Sequence, residues 1–250
     1  MVWQLLLVSA AMAQDAVDHG QAIAKVVDTA RTFDSNLRNF VCRQSVQRLR
    51  GQSNDGPWSE IDRYEDEVAY FDRKERYRLL TINGKPTTKK HEQMRGGFRA
   101  GGLFGAMLSR VFALDTKAEF EWARMDRLDG REAMVLRFRV RKDNSKWTIN
   151  GNGKTYVRGY SGLVWADVRN SSVLRLETMA DAEPGDPSWI GSLRLDLRYG
   201  VVPIGGVDQL LPIQAEARIE LNKKPRKNIA EFRDFKQYAS ESKIDFEEVK

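Results

Sequence analysis

Few residues of this 250-residue chain have the types and spacing that chemistry needs. The nearest approach is Gly151-Asn152-Gly153-Lys154-Thr155, which ends like a phosphate-binding loop. Such a loop carries a further glycine five residues before Gly153 and a helix afterwards, whose N–H groups face the phosphate. Thr148 stands at that earlier position and Tyr156-Val157-Arg158 has strand character, so the segment reads as a hairpin turn. His19 and His91 are isolated, and no Gly-x-Ser-x-Gly elbow presents a serine nucleophile. Glu60, Asp62, Glu65, Asp66 and Glu67 have the chemistry of an acid–base pair or a cation site. They lack the glycine-bearing spacing of a calcium loop, and read as a solvated strand face. The oxygen-rich stretch Asp181-Ala182-Glu183-Pro184-Gly185-Asp186 reads as a loop. Cys42 alternates with Phe40 and is expected to face the core as a small hydrophobe, with no histidine or cation placed convincingly to activate it.

One cysteine and two histidines leave no material for a structural zinc site, an iron–sulfur cluster or a disulfide framework. No cofactor is called for, and no catalytic motif is present. The expectation is therefore a protein that is not an enzyme, with a hydrolase built from distant residues as the weakest alternative. Residues 1–13 read as an export signal. Val2 to Ala11 are apolar apart from Gln4 and Ser9, and Ala11-Met12-Ala13 supplies the small residues that precede a cleavage. Cutting after Ala13 would leave residues 14–250 as one domain, periplasmic or otherwise exported, with no transmembrane segment. The net charge of +6 comes from Lys and Arg spread along alternating strands, not gathered in a stripe. That distribution, and export, argue against nucleic acid as a partner.

The elements that position these residues follow from periodicity. Residues 15–38 place Val17, Ile23, Val26, Val27, Ala30, Phe33 and Leu37 at threes and fours, which predicts a first amphipathic helix. From residue 40 the period becomes two. Strands are expected at 40–49, 60–71, 75–82, 118–127, 132–141, 154–159, 162–168, 172–180, 190–202, 209–221 and 227–238, each with one dry and one charged face. Turn signals at Asn83-Gly84, Asp129-Gly130, Asn150-Gly151, Arg169-Asn170-Ser171 and Gly205-Gly206 separate them in an antiparallel meander. The hairpin at Asp129-Gly130 must keep Phe120 and Trp122 on one face with Leu136, Phe138 and Val140. A three-residue loop 128–130 followed by a bulge would pair Trp122 with Leu136 and Glu121 with Arg137.

Between the third and fourth strands the period returns to helical. Leu103, Phe104, Met107, Leu108, Val111 and Phe112 form an apolar stripe behind Gly96, Gly97, Gly101 and Gly102, which read as a flexible tether. The expected fold is mainly β (α+β): one strongly curved antiparallel sheet, an open half-barrel, with an N-terminal helix and a short amphipathic lid helix. The candidate ligand-binding residues are Leu103, Phe104, Met107, Leu108 and Phe112 on the lid, with Trp122 and Phe138 on the sheet. Phe104 and Met107 are expected to point toward Trp122.

Several segments carry a family resemblance. Asn39-Phe40-Val41-Cys42-Arg43-Gln44, Gly162-Leu163-Val164-Trp165-Ala166-Asp167 leading to Val173-Leu174-Arg175-Leu176-Glu177, and Tyr199-Gly200-Val201-Val202-Pro203-Ile204-Gly205-Gly206 before Leu210-Leu211-Pro212 resemble a family of exported bacterial proteins of unassigned function. That family is in turn similar to outer-membrane lipoprotein-sorting (Lol carrier-like) proteins. The resemblance implies an unclosed half-barrel whose helix-capped concave face binds acyl chains. The carrier's functional arginine has no matching position here. The resulting expectation is an exported carrier for a lipid or lipid-modified protein. The alternative is an envelope scaffold or sensor domain that binds another protein and has a packed interior.

Overall fold

The computed structural model describes residues 19–33, 35–151, 153–180, 183–238 and 247–248. The expected export signal and its expected cleavage point, residues 15–18 of the expected first helix, and Asp181 and Ala182 lie outside these. Helix α1 covers residues 19–33, and α2 is Gly105–Phe112. The strands are β1 (Phe40–Gly51), β2 (Trp58–Phe71), β3 (Lys74–Ile82), β4 (Lys85–Pro86), β5 (Glu119–Leu128), β6 (Arg131–Val140), β7 (Thr148–Gly151), β8 (Lys154–Val157), β9 (Tyr160–Asp167), β10 (Val173–Ala180), β11 (Ile190–Ile204), β12 (Val207–Leu221), β13 (Lys224–Gln237) and β14 (Glu247–Glu248). Every strand expected from the period of two is present, displaced by at most a few residues at its ends. The expected helix ends earlier than read: Asn36 closes it with a hydrogen bond to the Thr32 carbonyl, and Leu37 and Arg38 are not helical.

One antiparallel sheet holds almost all of them, in the order β14-β3-β2-β1-β13-β12-β11-β10-β9-β6-β5, with β4 beside β3, and it does not close on itself. The order is two meanders rather than the single one expected. The last long strand, β13, inserts beside β1, pairing Arg43 with Arg233 and Arg50 with Arg226. Consequently β3 and β5, consecutive long strands in sequence, end at opposite edges of the sheet. The chain from residue 83 to 118 must cross the concave face to connect them, and α2 is the middle of that crossing. β7 and β8 pair only with each other, and β7 was not foreseen because four residues are too few to show a period.

Inward residues of every long strand build one core with both helices. Phe40, Val68, Leu136, Val164, Leu176 and Leu197 are among those with essentially no exposure. Val26 and Ala30 of α1 are fully buried in the same core. The convex side is drier than expected. Ala133, Val135, Trp165 and Leu174 form a second small apolar cluster, so β6 is buried on both faces over residues 133–136. Arg124 and Arg175 roof this cluster, their guanidinium carbons 5.8 and 4.6 Å from the Trp165 ring, while the indole N–H donates to Asp126 at 3.0 Å. The Trp165-x-Asp167 pair is thus structural. Asp167 is buried in the following turn, where it pairs with Arg131 and accepts from the Arg169 amide at 2.7 Å.

The β5–β6 hairpin has the expected register by a different route. Trp122 pairs with Leu136 and Glu121 with Arg137. The loop is the two residues Asp129 and Gly130, with φ of 49° and 80°, and the extra residue is a bulge at Ala123. A turn with two positive φ angles matches strand twist better than a three-residue loop, so the offset moves up the strand. The outward Glu119 and Glu121 then lie opposite Arg139 and Arg137.

β9 crosses β10 too closely at Gly162 to admit a side chain. A Cβ there would lie 1.8 Å from the Glu177 carbonyl oxygen and 2.8 Å from the Phe138 ring. Gly162→Ala should therefore cost about 1–3 kcal/mol in urea unfolding, because β9 must lift from both neighbours. An unchanged midpoint would contradict this packing.

Candidate functional site

The concave face and its crossing segment bring the expected site residues into one place. Leu103, Phe104, Met107, Leu108, Phe112 and Phe138 are all buried in the main core, and Trp122 is partly buried at its border. α2, roughly 12 Å long at 1.5 Å per residue, lies across the cup. Its first turn meets β1 and β13: the Phe104 ring is 5.1 Å from Phe40 and 4.8 Å from Phe232. Its last turn meets β5, where Phe112 stacks on Phe120 at 5.3 Å. Phe104 therefore points to the Phe40 end and not toward Trp122, as the sequence reading had it. The partner of Trp122 is His19, stacked on it at 4.2 Å and 7°. α1 runs from that contact to the tip of the β11–β12 hairpin, where the Arg38 amide donates to Gln209 at 3.2 Å.

The segment read as a flexible tether is held at many points. Arg48 donates to the Arg95 carbonyl, Arg226 to Gly96 and Asn228 to Phe98, at 3.0–3.2 Å. The tightest hold is Glu75 on β3. One carboxylate oxygen accepts from the amides of Gly102 and Leu103, at 2.9 and 3.2 Å, and the other from Phe104 at 2.8 Å. Tyr77 donates to the same carboxylate at 2.5 Å. Burial, then the Glu75 charge, pushes the Tyr77 hydroxyl well above its ordinary range, so it remains a donor. The carboxylate stands at the N-terminus of α2, where the helix dipole favours negative charge. At the other end, Arg31 of α1 donates to the Phe112 carbonyl at 2.6 Å, and Tyr160 of β9 donates to the Arg110 carbonyl at 2.5 Å. Side chains from three separate elements thus clamp α2 at both ends.

Beneath the crossing lies a polar patch that the sequence reading missed. Asp66 is almost completely buried and sits 2.8 Å from His91 Nε2, with the Tyr64 ring edge-on to the imidazole at 5.8 Å. Arg48 and Asp62 form a buried bidentate pair nearby. These residues correct the reading of 60–67 as a solvated face. Asp62 and Asp66 point inward on the register of Tyr64 and Val68, while Glu65 and Glu67 point outward and pair with Arg233 and Arg78. The legible signal was phase: Arg48, Asp66 and Glu75 occupy inward positions of otherwise apolar alternations. Cys42 faces the core as expected, and burial, then Glu75, pushes its thiol well above the usual range.

The oxygen-rich loop is neutralised from within. Asp186 pairs at 2.7 Å with Arg158, whose side chain has no exposure, and Glu183 pairs with Lys142 at 2.7 Å. Among the described residues no group of three or more His, Cys, Asp or Glu could hold a metal ion, and no helix is long and apolar enough to cross a membrane. A groove of about 620 Å³ opens between the end of α1 and the β11–β12 tip, with Phe33 and Val207 among its walls and Lys25, Asp28 and Asp208 at its edge.

No protein-family model and no curated protein matches the chain. Solved structures do. A DUF1329 family protein from Desulfovibrio piger matches at a TM-score of 0.44 and 10% identity, over 87% of this chain and 93% of that one. A LolA superfamily protein from Nitrosomonas europaea matches at 0.38 and 13%, over 86% and 92%. A putative outer membrane lipoprotein-sorting protein domain from Vibrio parahaemolyticus matches at 0.42 and 9%, over 87% and 93%.

Replacing Glu75 by Gln turns an amide donor toward backbone donors that need an acceptor. The variant should lose on the order of 2 kcal/mol. Hydrogen exchange read by mass spectrometry should show residues 102–112 losing protection while β12 keeps its own. Uniform loss across the sheet would show that α2 has no independent opening.

Proposed function

We propose that the protein is a carrier whose concave face takes up an acyl chain or another extended apolar ligand when α2 moves aside. What carries the reading is the way α2 is held. Its apolar stripe fills the cup, yet the polar bonds that fix its ends come from a few side chains, Glu75, Arg31 and Tyr160, and not from a sheet or bundle. A helix of eight residues has little stability of its own, so its position depends on those bonds and on the apolar surface beneath it. A ligand that offers equivalent apolar surface competes for the same face. Phe40, Phe138, Phe232 and Leu136 would then line the chain, and Phe104, Met107 and Phe112 would cover it. Met107 and the phenylalanines suit an adaptable contact. Export, cleavage after Ala13 and a lipid-modified protein as cargo belong to the same reading.

A scaffold with a permanently packed interior is the rival, and the near-complete burial of Phe104 and Met107 favours it. A fluorescent fatty acid separates the two. The wild-type protein should bind the probe and release it to unlabelled palmitate, and Glu75→Gln should load it several times faster. A protein that takes up no probe in either form, while remaining folded by circular dichroism, leaves the scaffold reading in place.

A further inference from the structure

The rim of the sheet where β12 turns into β13 carries cations that form no ion pair among the described residues. Lys223 lies in the turn, Lys224 starts β13, and Arg226 and Lys227 follow. Arg50 of β1 lies directly opposite Arg226, although like charges facing each other across strands are unfavourable. Among the described residues none of these five forms an ion pair. The carboxylates nearby are mostly engaged: Asp62 with Arg48, Glu60 with Arg63, Glu183 with Lys142 and Asp186 with Arg158. Among the described residues, Asp55 and Glu220 form no ion pair with any of the five.

Aromatic rings accompany the cations. Lys227 Nζ lies 4.4 Å from the Trp58 ring, and the Arg218 guanidinium 5.9 Å from it. The Asn222 amide donates to the Trp189 carbonyl at 2.8 Å, and the Trp189 indole packs against Gly151 with Tyr156 edge-on to it at 6.3 Å. Beside Lys224 and Arg226 a shallow basin of about 310 Å³ is floored by Gly96 and Gly97.

We propose that this rim docks the protein on an anionic phospholipid surface. Unpaired Lys and Arg draw a protein to a negatively charged leaflet, and Trp and Tyr settle at the level of the head groups. Duplex nucleic acid would need the positive charge to continue as a stripe. Here it stops at the rim, because the adjoining convex face alternates Arg175 with Glu177 and Asp196, and Arg218 with Glu216. A flat layer of head groups needs only a local contact. The rim touches the crossing segment through Arg226 and Gly96, but vesicle binding is read without acyl uptake and the variants below leave Arg226 in place, so the two proposals stand or fall apart.

The full chain is sedimented with vesicles of phosphatidylglycerol and phosphatidylcholine, and with phosphatidylcholine alone. The wild type should pellet only with the anionic vesicles, and added salt should release it. Lys223→Asn with Lys224→Gln, both on solvent-exposed positions, should weaken binding roughly twentyfold. Trp58→Ala should weaken it with the charge unchanged. Circular dichroism and urea midpoints check that the variants fold, and Arg50→Gln gives a second removal of charge outside the turn. Equal pelleting with phosphatidylcholine, undiminished binding by the charge variants, or equally tight binding of duplex DNA at the same salt would overturn the proposal.

Discussion

An open sheet whose consecutive strands lie at opposite edges obliges the chain to cross its own concave face. Here β13 occupies the place beside β1 that closes the two meanders into one sheet, and β3 and β5 are left at the two ends. The crossing from residue 83 to 118 cannot pass around the outside without exposing Leu103, Phe104, Met107, Leu108 and Val111. It therefore runs through the cup, and the burial of α2 follows from connectivity as much as from its own apolar stripe. α1 fills the remaining width and supplies Arg31 to the last carbonyl of α2.

The polar interactions divide by depth. On the convex face, the ladder of Glu119, Glu121, Arg137 and Arg141 is exposed, and each such pair contributes about 0–1 kcal/mol. Inside, Glu75, Asp66 with His91, and Arg48 with Asp62 are shielded from water. Removing one member there strands its partner, at a cost of several kcal/mol. The same three groups lie under or beside the crossing segment. These buried groups thus place a loop and a helix over an apolar surface.

Much of this was legible beforehand, because half-buried strands write their period into the chain. Leu193, Leu195 and Leu197 against Arg194, Asp196 and Arg198 left little doubt about β11, and Phe120 with Trp122 demanded their register with Leu136. What escaped was non-local. No pattern within β13 says that it pairs with β1. The bulge at Ala123 and the turn at Asp129-Gly130 satisfy the same register rule as the loop that was expected. Asp66 read as a surface carboxylate and Glu75 drew no notice because their partners, His91 and three backbone amides, lie on a segment 25 to 29 residues later.

The seam between β1 and β13 has a temporal consequence. Phe40 pairs with Gln237, about two hundred residues apart, and ten such pairs form one of the longest ladders in the sheet. A chain that emerges from its N-terminus exposes the inward face of β1, with Phe40, Cys42 and Val46, long before the strand that will cover its flank exists. Contacts so distant in sequence make loop closure costly and folding slow. Until β13 arrives, β1 is an apolar strand with an open edge, the kind of surface that aggregates unless something holds it. The topology that seats a helix across the cup therefore also leaves β1 waiting for one of its two neighbours until the end of the chain.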